Sequence, residues 1–287
     1  MAAPASAPPP NARHSTVGDK IRFVLRGIGQ TLITLGLVVL LFAVYEVWIT
    51  NIFAHREQVK VYNALHQEWL NGVDPLALPG NKLSSIPLGS GIAVLYIPRL
   101  GSDYHFAIVQ GSDVPDDAQL EKGPAHYADT QMPGEVGNFG VAGHRVGKGE
   151  PFLNIDKLRS GDAVIVETKS TWWIYRVLGS PAGADPEGNM TSIAATNGTS
   201  VQNFDVPGRE IVDPSDGNVL LPIPNHDGWR PTKAALMTMT TCHPKFTASQ
   251  RMIVHAQLAT QYPNSEALIS ANKMPAAVQA LYSEVSG

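Results

Sequence analysis

The chain holds one cysteine, Cys242, in the run Met237-Thr238-Met239-Thr240-Thr241-Cys242-His243-Pro244. With the two-residue period of a strand, Thr238, Thr240 and Cys242 share a face, and the thiol projects at a strand end beside small hydroxyls. A second apolar run, Val141-Ala142-Gly143-His144-Arg145, ends in an imidazole, and Arg251 stands nine residues after Cys242 at the head of a third. A free thiol is only a few per cent ionised near neutrality. An adjacent imidazole can take its proton and later protonate a leaving amine. A guanidinium stays charged at any working pH and can donate to a developing oxyanion. If the three runs are neighbours, their chemistry is acyl transfer through a thioester, with no cofactor and no metal. Each residue also has a plainer role: a lone cysteine as a small buried apolar group, His144 as one of nine histidines ending a strand, and Arg251 as a solvated charge. His243 points to the opposite face from Cys242 and reads as a surface residue. Cys242, His243 and His255 lack the spacing of a zinc motif.

The plainer reading of Cys242 weakens if it faces an oxidising compartment, and the amino-terminal segment bears on that. Residues 1–12 are Ala/Pro-rich and predict disorder. Gly27–Tyr45 runs without a charge and as a helix is roughly 28 Å long, about a bilayer's hydrocarbon thickness. Tyr45 and Trp48 sit where an interfacial aromatic belt belongs. The run is longer than a signal-peptide core and no small-residue cleavage site follows it. Arg13, Lys20, Arg22 and Arg26 precede it, against Arg56 and Lys60 just after. The positive-inside rule then predicts a cytoplasmic amino terminus and a body outside the membrane. Residues 1–26 sum to +3 and the remainder to −7; that mildly acidic body offers no footprint for nucleic acid.

The spacing predicts a helix over Ile52–Leu70 with Val59, Tyr62, Leu65 and Leu70 on one face. A Gly/Pro/Ser-rich linker follows over 71–90. Short strands are expected at Ile92–Ile97, His105–Val109, Asn138–Ala142, Ala163–Thr168, Trp172–Leu178, Ala234–Thr241 and Met252–Leu258. A hairpin joins the fourth and fifth, and Phe152–Leu158 forms a helical turn. In the last strand Met252, Val254, Ala256 and Leu258 form the apolar face and Arg251 points to the other. The long Gly/Pro/Asn/Asp-rich stretch from Gly179 to Pro231 is expected to be a functional loop with short strands at Ile211–Asp213 and Val219–Ile223. A helix is expected at Pro275–Tyr282. This count argues an all-β barrel or sandwich.

At NFGVAGHR (Asn138–Arg145) and LMTMTTCHPKFTASQRMIVHA (Leu236–Ala256) the chain resembles a sortase, most of all class E, the housekeeping type of high-GC Gram-positive bacteria. The resemblance covers Gly91–Leu258 and the apolar anchor. It implies a closed, roughly eight-stranded β-barrel with Cys242 as nucleophile, His144 as acid–base and Arg251 as oxyanion donor. Tyr127, Thr241 and Asn138 are implied as substrate-binding residues, and Val212–Pro224 resembles the loop bordering the family's substrate groove. Residues 181–205 are longer than the family pattern. The implied organisation is a basic cytoplasmic tail (1–26), a transmembrane anchor (27–49), a helix and linker (50–90), a catalytic domain (91–262) and a carboxy-terminal tail (263–287). The implied reaction cleaves a Leu-Ala-x-Thr-Gly or Leu-Pro-x-Thr-Gly signal on a secreted protein and joins it to an amine of a peptidoglycan precursor. The alternatives are a pilin-polymerising sortase and a non-catalytic, membrane-tethered assembly module.

Overall fold

The computed structural model describes residues 17–45, 50–77, 86–111, 118–179, 191–197 and 200–285. The Ala/Pro-rich start, Trp48 and part of the 71–90 linker lie outside that set. The chain divides into two units, Met1–Glu46 and Val47–Gly287. The first is helix α1 (Val17–Val44). Its Lys20–Val44 stretch has a mean hydropathy of 2.2 and is nowhere buried, so by length and composition it is able to cross a membrane.

The second unit opens with α2 (Thr50–Leu70) and continues through β1 (Gly91–Tyr96), β2 (His105–Gln110), β3 (Ala125–His126), β4 (Gly137–Ala142), β5 (Ala163–Glu167) and β6 (Thr171–Val177). Then come β7 (Thr191–Asn197), β8 (Ser200–Val206), β9 (Arg209–Val212), β10 (Arg230–Pro231), β11 (Ala235–His243) and β12 (Gln250–Pro263), followed by α3 (Glu266–Ala271) and α4 (Ala276–Gln279). Eight strands close on themselves in the order β11-β4-β3-β2-β1-β5-β6-β12, and β12 returns to β11. Most neighbours are antiparallel, while β4 runs parallel to β11 and β2 to β3. Strand β12 pairs with β11 along one edge, and with β9 and then β6 along the other.

The barrel closes because alternate residues supply a continuous apolar lining. Phe139 and Val141 from β4, Met237 and Met239 from β11, and Met252, Val254 and Ala256 from β12 are buried together with Leu95, Ile108, Val166 and Tyr175. Burial of a side chain of this size is worth about 1.5–3 kcal/mol. Residues one step out of phase therefore face outward, and these include Thr238, Thr240, Cys242 and Arg251.

The expected strands are present, β12 extending five residues beyond Leu258. Three expectations change. The buried stripe of α2 is Ala54, Gln58, Leu65 and Trp69, at four- and seven-residue steps, whereas Val59 and Leu70 are exposed. Val219–Ile223 is not a strand; Gly217–Leu220 forms a 3-10 turn capped by the Asp216 carboxylate accepting from the Asn218 amide. The Gly179–Pro231 stretch also holds a separate three-stranded sheet in the order β10-β7-β8. Ile193, Ala195 and Val206 from that sheet pack with Leu178, Ile223 and Leu236, covering part of the outer face of β11. The segment after Pro263 is built into the fold: Ile269, Val278 and Leu281 join Leu65, Trp69, Val94, Ile165 and Trp172 in a second apolar cluster.

Candidate active site

Strand register sets the site. Cys242 on β11 is directly opposite Arg251 on β12, and Thr240 is opposite Ile253. On the other edge of β11, Thr240 is opposite Ala142 of β4 in parallel register. His144 follows two residues beyond Ala142, past the last paired residue of β4. The chain is held on this course beyond the end of β4. The Gly143 amide donates to the Thr240 carbonyl at 3.0 Å, and the Thr241 hydroxyl donates to the Gly143 carbonyl at 2.7 Å. The Phe152 amide then donates to the His144 carbonyl at 3.0 Å. Gly143 has to be glycine, because a Cβ there would meet the Phe152 ring at 2.4 Å. Cys242, His144 and Arg251 are all partly exposed at this rim.

Arg251 donates through one Nη to the carbonyls of Ala248 and Gln250, at 3.1 and 3.2 Å, so its head is anchored to the loop between β11 and β12. Asp213, one residue beyond the end of β9, is held below the usual carboxylate range by the Ser215 hydroxyl and amide, with a smaller contribution from the Arg251 charge. Beneath the rim lies a cation that the sequence reading passed over. Arg145 is 4% exposed. Its Nη1 donates to the Cys242 carbonyl at 3.3 Å and to His243 Nδ1 at 2.9 Å, while Nη2 meets Asp156 at 3.2 Å. Burial and the Arg145 charge hold His243 below the ordinary histidine range. A residue next to a histidine at a strand end carries no periodic signal, and the partners of Arg145 are 11 and 98 residues away, so nothing local marks it.

The residues expected to contact substrate fall into two groups. Tyr127 lies at the edge of an open cleft of about 290 Å³ shared with Ala128, Asp129, Leu220, Leu221 and Pro222. Its hydroxyl is 2.9 Å from Thr240 Oγ1, two residues before the thiol. Gly140 lets these walls meet: a Cβ there would stand 3.0 Å from Leu220 and 3.1 Å from the Tyr127 ring. Asn138 and Thr241 have other duties. Asn138 is fully buried, and its Nδ2 donates to the Val219 and Leu221 carbonyls at 3.3 and 3.0 Å. It shapes the cleft wall from behind and has no surface left for substrate. Thr241, 3% exposed, points inward and spends its hydroxyl on Gly143. The polar groups of both side chains are thus engaged within the protein.

Hydrogen-bond counting extends the Asn138 contact into a line across the sheet. With both Nδ2 hydrogens donated, Asn138 offers Oδ1 to Thr238, whose hydroxyl donates to it at 2.8 Å. A hydroxyl has one hydrogen, so at the 2.8 Å contact with His255 Nδ1 the ring nitrogen must be the donor. His255 Nε2 meets Glu210 of β9 at 2.9 Å, and Glu210 in turn accepts from Asn225. Burial pushes the Glu210 carboxyl up, but the His255 bond and charge, with the Asn225 amide, outweigh it and hold Glu210 below its ordinary range. Four strands and the cleft loop are thus tied by one chain of polar contacts.

A family model described as "Sortase domain" matches residues 95–259. Sortase SrtE2 of Streptomyces coelicolor is 30% identical over 240 residues, which cover 80% of each chain. The chain belongs to the sortase family, class E. Sortase SrtE1 of the same organism is 34% identical over 247 residues, 84% of this chain and 59% of the relative's length. The SrtF sortase from Corynebacterium diphtheriae matches in three dimensions with a TM-score of 0.53 and 38% identity, over 67% of this chain and 94% of that one. The eight-stranded closed barrel is thus the family's own. The matched span begins at Leu95 within β1 and ends at Ala259 within β12, so this sortase's α2, α3 and α4 lie outside the shared domain.

Proposed function

We propose that the chain is a membrane-anchored cysteine transpeptidase, with α1 as a single-pass anchor and the barrel outside the cytoplasm. Cys242 passes its thiol proton to His144 and attacks the Thr–Gly carbonyl of a Leu-Ala-x-Thr-Gly or Leu-Pro-x-Thr-Gly signal on a secreted protein. The carbonyl oxygen takes up negative charge within reach of the Arg251 guanidinium, which keeps donors free beyond the two carbonyls it serves. As the C–N bond breaks, His144 protonates the departing glycine amine, leaving a thioester on Cys242. An amine of a peptidoglycan precursor then attacks the thioester, His144 accepts its proton, and the thiol is restored.

The observation that carries this reading is the register of three neighbouring strands, which sets Cys242 opposite Arg251 and ends β4 two residues before His144. The cleft between Tyr127 and Leu220 supports a groove for the residues preceding the scissile bond, since it runs along the face that ends at the thiol. Excess basic residues before the uncharged run that starts at Gly27 support the orientation.

Incubation with Ala- and Pro-containing signal peptides, followed by intact-mass spectrometry, should trap an acyl adduct on Cys242. Cys242→Ala should form none, and His144→Ala or Arg251→Ala should each lower turnover by about 100-fold or more. Unchanged cleavage by Cys242→Ala would end the proposal.

A further inference from the structure

At the other end of β12 the barrel carries a second cavity, of about 200 Å³. Tyr262 of β12 pairs with Trp172 of β6, and Trp172 lines this cavity. Eleven residues separate Tyr262 from Arg251, roughly 35 Å along an extended strand. The cavity is therefore remote from Cys242. Tyr62 of α2, Tyr96 of β1, Trp172, and Tyr282 near the carboxy terminus supply aromatic walls. Tyr96 and Trp172 are 5.6 Å apart between ring centres.

In that aromatic setting sits a carboxyl group, Glu167, 5% exposed. It accepts from the Tyr96 hydroxyl at 2.8 Å and from Asn264 Nδ2 at 3.0 Å. Burial pushes its pKa up to about 7, against the pull of those two bonds. Among the described residues no cation pairs with it. Buried carboxylates are ordinarily matched by a counter-charge or kept neutral. Aromatic faces attract cations, most strongly where water is excluded. A wall of rings around an unmatched acid is thus complementary to a small organic cation. Its volume exceeds the engineered cavity of about 150 Å³ that holds benzene, so a short alkyl chain fits. The exposed Asn272 and Lys273 lie at its edge.

We propose that this cage binds a primary alkylammonium group, with the ammonium on Glu167 and the alkyl stem against the rings. A primary rather than quaternary ammonium suits it, because a carboxylate accepts from N–H donors and a quaternary ammonium has none. The site is independent of the transpeptidase reading and of the acyl acceptor, which must reach Cys242.

The test is calorimetric titration of the detergent-solubilised full chain at pH 8 with n-butylammonium chloride, n-butanol and tetramethylammonium chloride. Saturable binding of butylammonium is expected, at least about tenfold tighter than either control. Glu167→Gln should weaken it about tenfold or more, and Tyr282→Ala, which opens one wall, should weaken it independently if the first variant folds poorly. Cys242→Ala should bind as the parent does. Affinity should fall about tenfold from pH 8 to pH 6 as Glu167 takes up its proton. The other ionisable groups on the cavity wall include His66, His105, Asp103 and Lys273, and burial holds His66 below the ordinary histidine range. Equal binding of butanol would reduce the cavity to an apolar void and overturn the proposal. So would parent-like binding by Glu167→Gln, or loss of binding in Cys242→Ala.

Discussion

Two outer faces of one barrel are finished in different ways. Over β4, β11 and β12 the outward residues include Asn138, Thr238, Thr240 and His255, buried yet polar; the first two and His255 are bonded in a line, and Thr240 bonds Tyr127. Over β1, β5 and β6 they are Val94, Tyr96, Ile165, Trp172 and Ile174, packed beneath α2 and the carboxy-terminal helices. The interior lining is the same kind of apolar surface on both sides. What differs is the cover. A hydrophobic lid holds by area and tolerates small shifts, whereas a hydrogen-bonded lattice fixes atoms to within tenths of an ångström and fails if one member is removed. The first stabilises the barrel; the second sets the shape of a cleft.

The contrast can be broken most forcefully at Trp172. Trp172→Ala should cost about 4 kcal/mol in urea unfolding while leaving kcat of the folded fraction unchanged. A large fall in kcat would mean that the helical cover also tunes the rim. On the polar face, Asn138→Ala strands the Val219 and Leu221 carbonyls and should cost about 3 kcal/mol. Unlike the tryptophan variant it should also raise KM for the signal peptide several-fold, because the cleft wall loses its tether.

The two buried carboxyls should respond to pH with opposite sign. The folded pKa of Glu167 is raised to about 7, so folding favours its protonated form and stability falls as pH rises from about 4.5 to 7. Glu167→Gln should therefore gain about 3 kcal/mol at pH 8 and nothing below pH 4. Glu210 is depressed, so its contribution is present above the ordinary carboxylate range and is lost as pH falls through its folded value. Glu210→Gln should flatten the acid limb of a stability–pH curve and gain nothing at pH 8. Matching slopes for both variants would erase the distinction. The smallest effect is expected at Thr240→Val, which removes the Tyr127 contact at a cost of about 1 kcal/mol and a modest rise in KM.

Periodicity made the barrel strands readable, since Met237/Met239 and Met252/Val254 alternate with polar neighbours and bury as that alternation demands. Residues 144, 242 and 251, expected to act together, stood out for the same reason: each ends or begins an apolar run. Strands β7 and β8 were not, because Thr191–Asn197 buries little beyond Ile193 and Ala195 and reads as loop composition. The face of α2 is displaced by one residue from the expected one at Val59 and Leu70, since the buried Gln58 is polar and finds its partners in the Ala107 amide and carbonyl, 49 residues away. Asn138 looked like a ligand-binding residue for a similar reason. A short polar side chain in a strand can face a substrate or staple a loop, and the register of distant segments decides which.

Strand β11 meets β4 from about 100 residues earlier in the chain, and β12 joins both the beginning and the end of the sheet. Contacts of such long range form late in folding, after many loops have closed. Until this seam zips shut, Cys242 does not stand opposite Arg251, and the cleft wall that Asn138 tethers is not in place. The rim is thereby withheld from every half-made molecule and assembled only in finished ones.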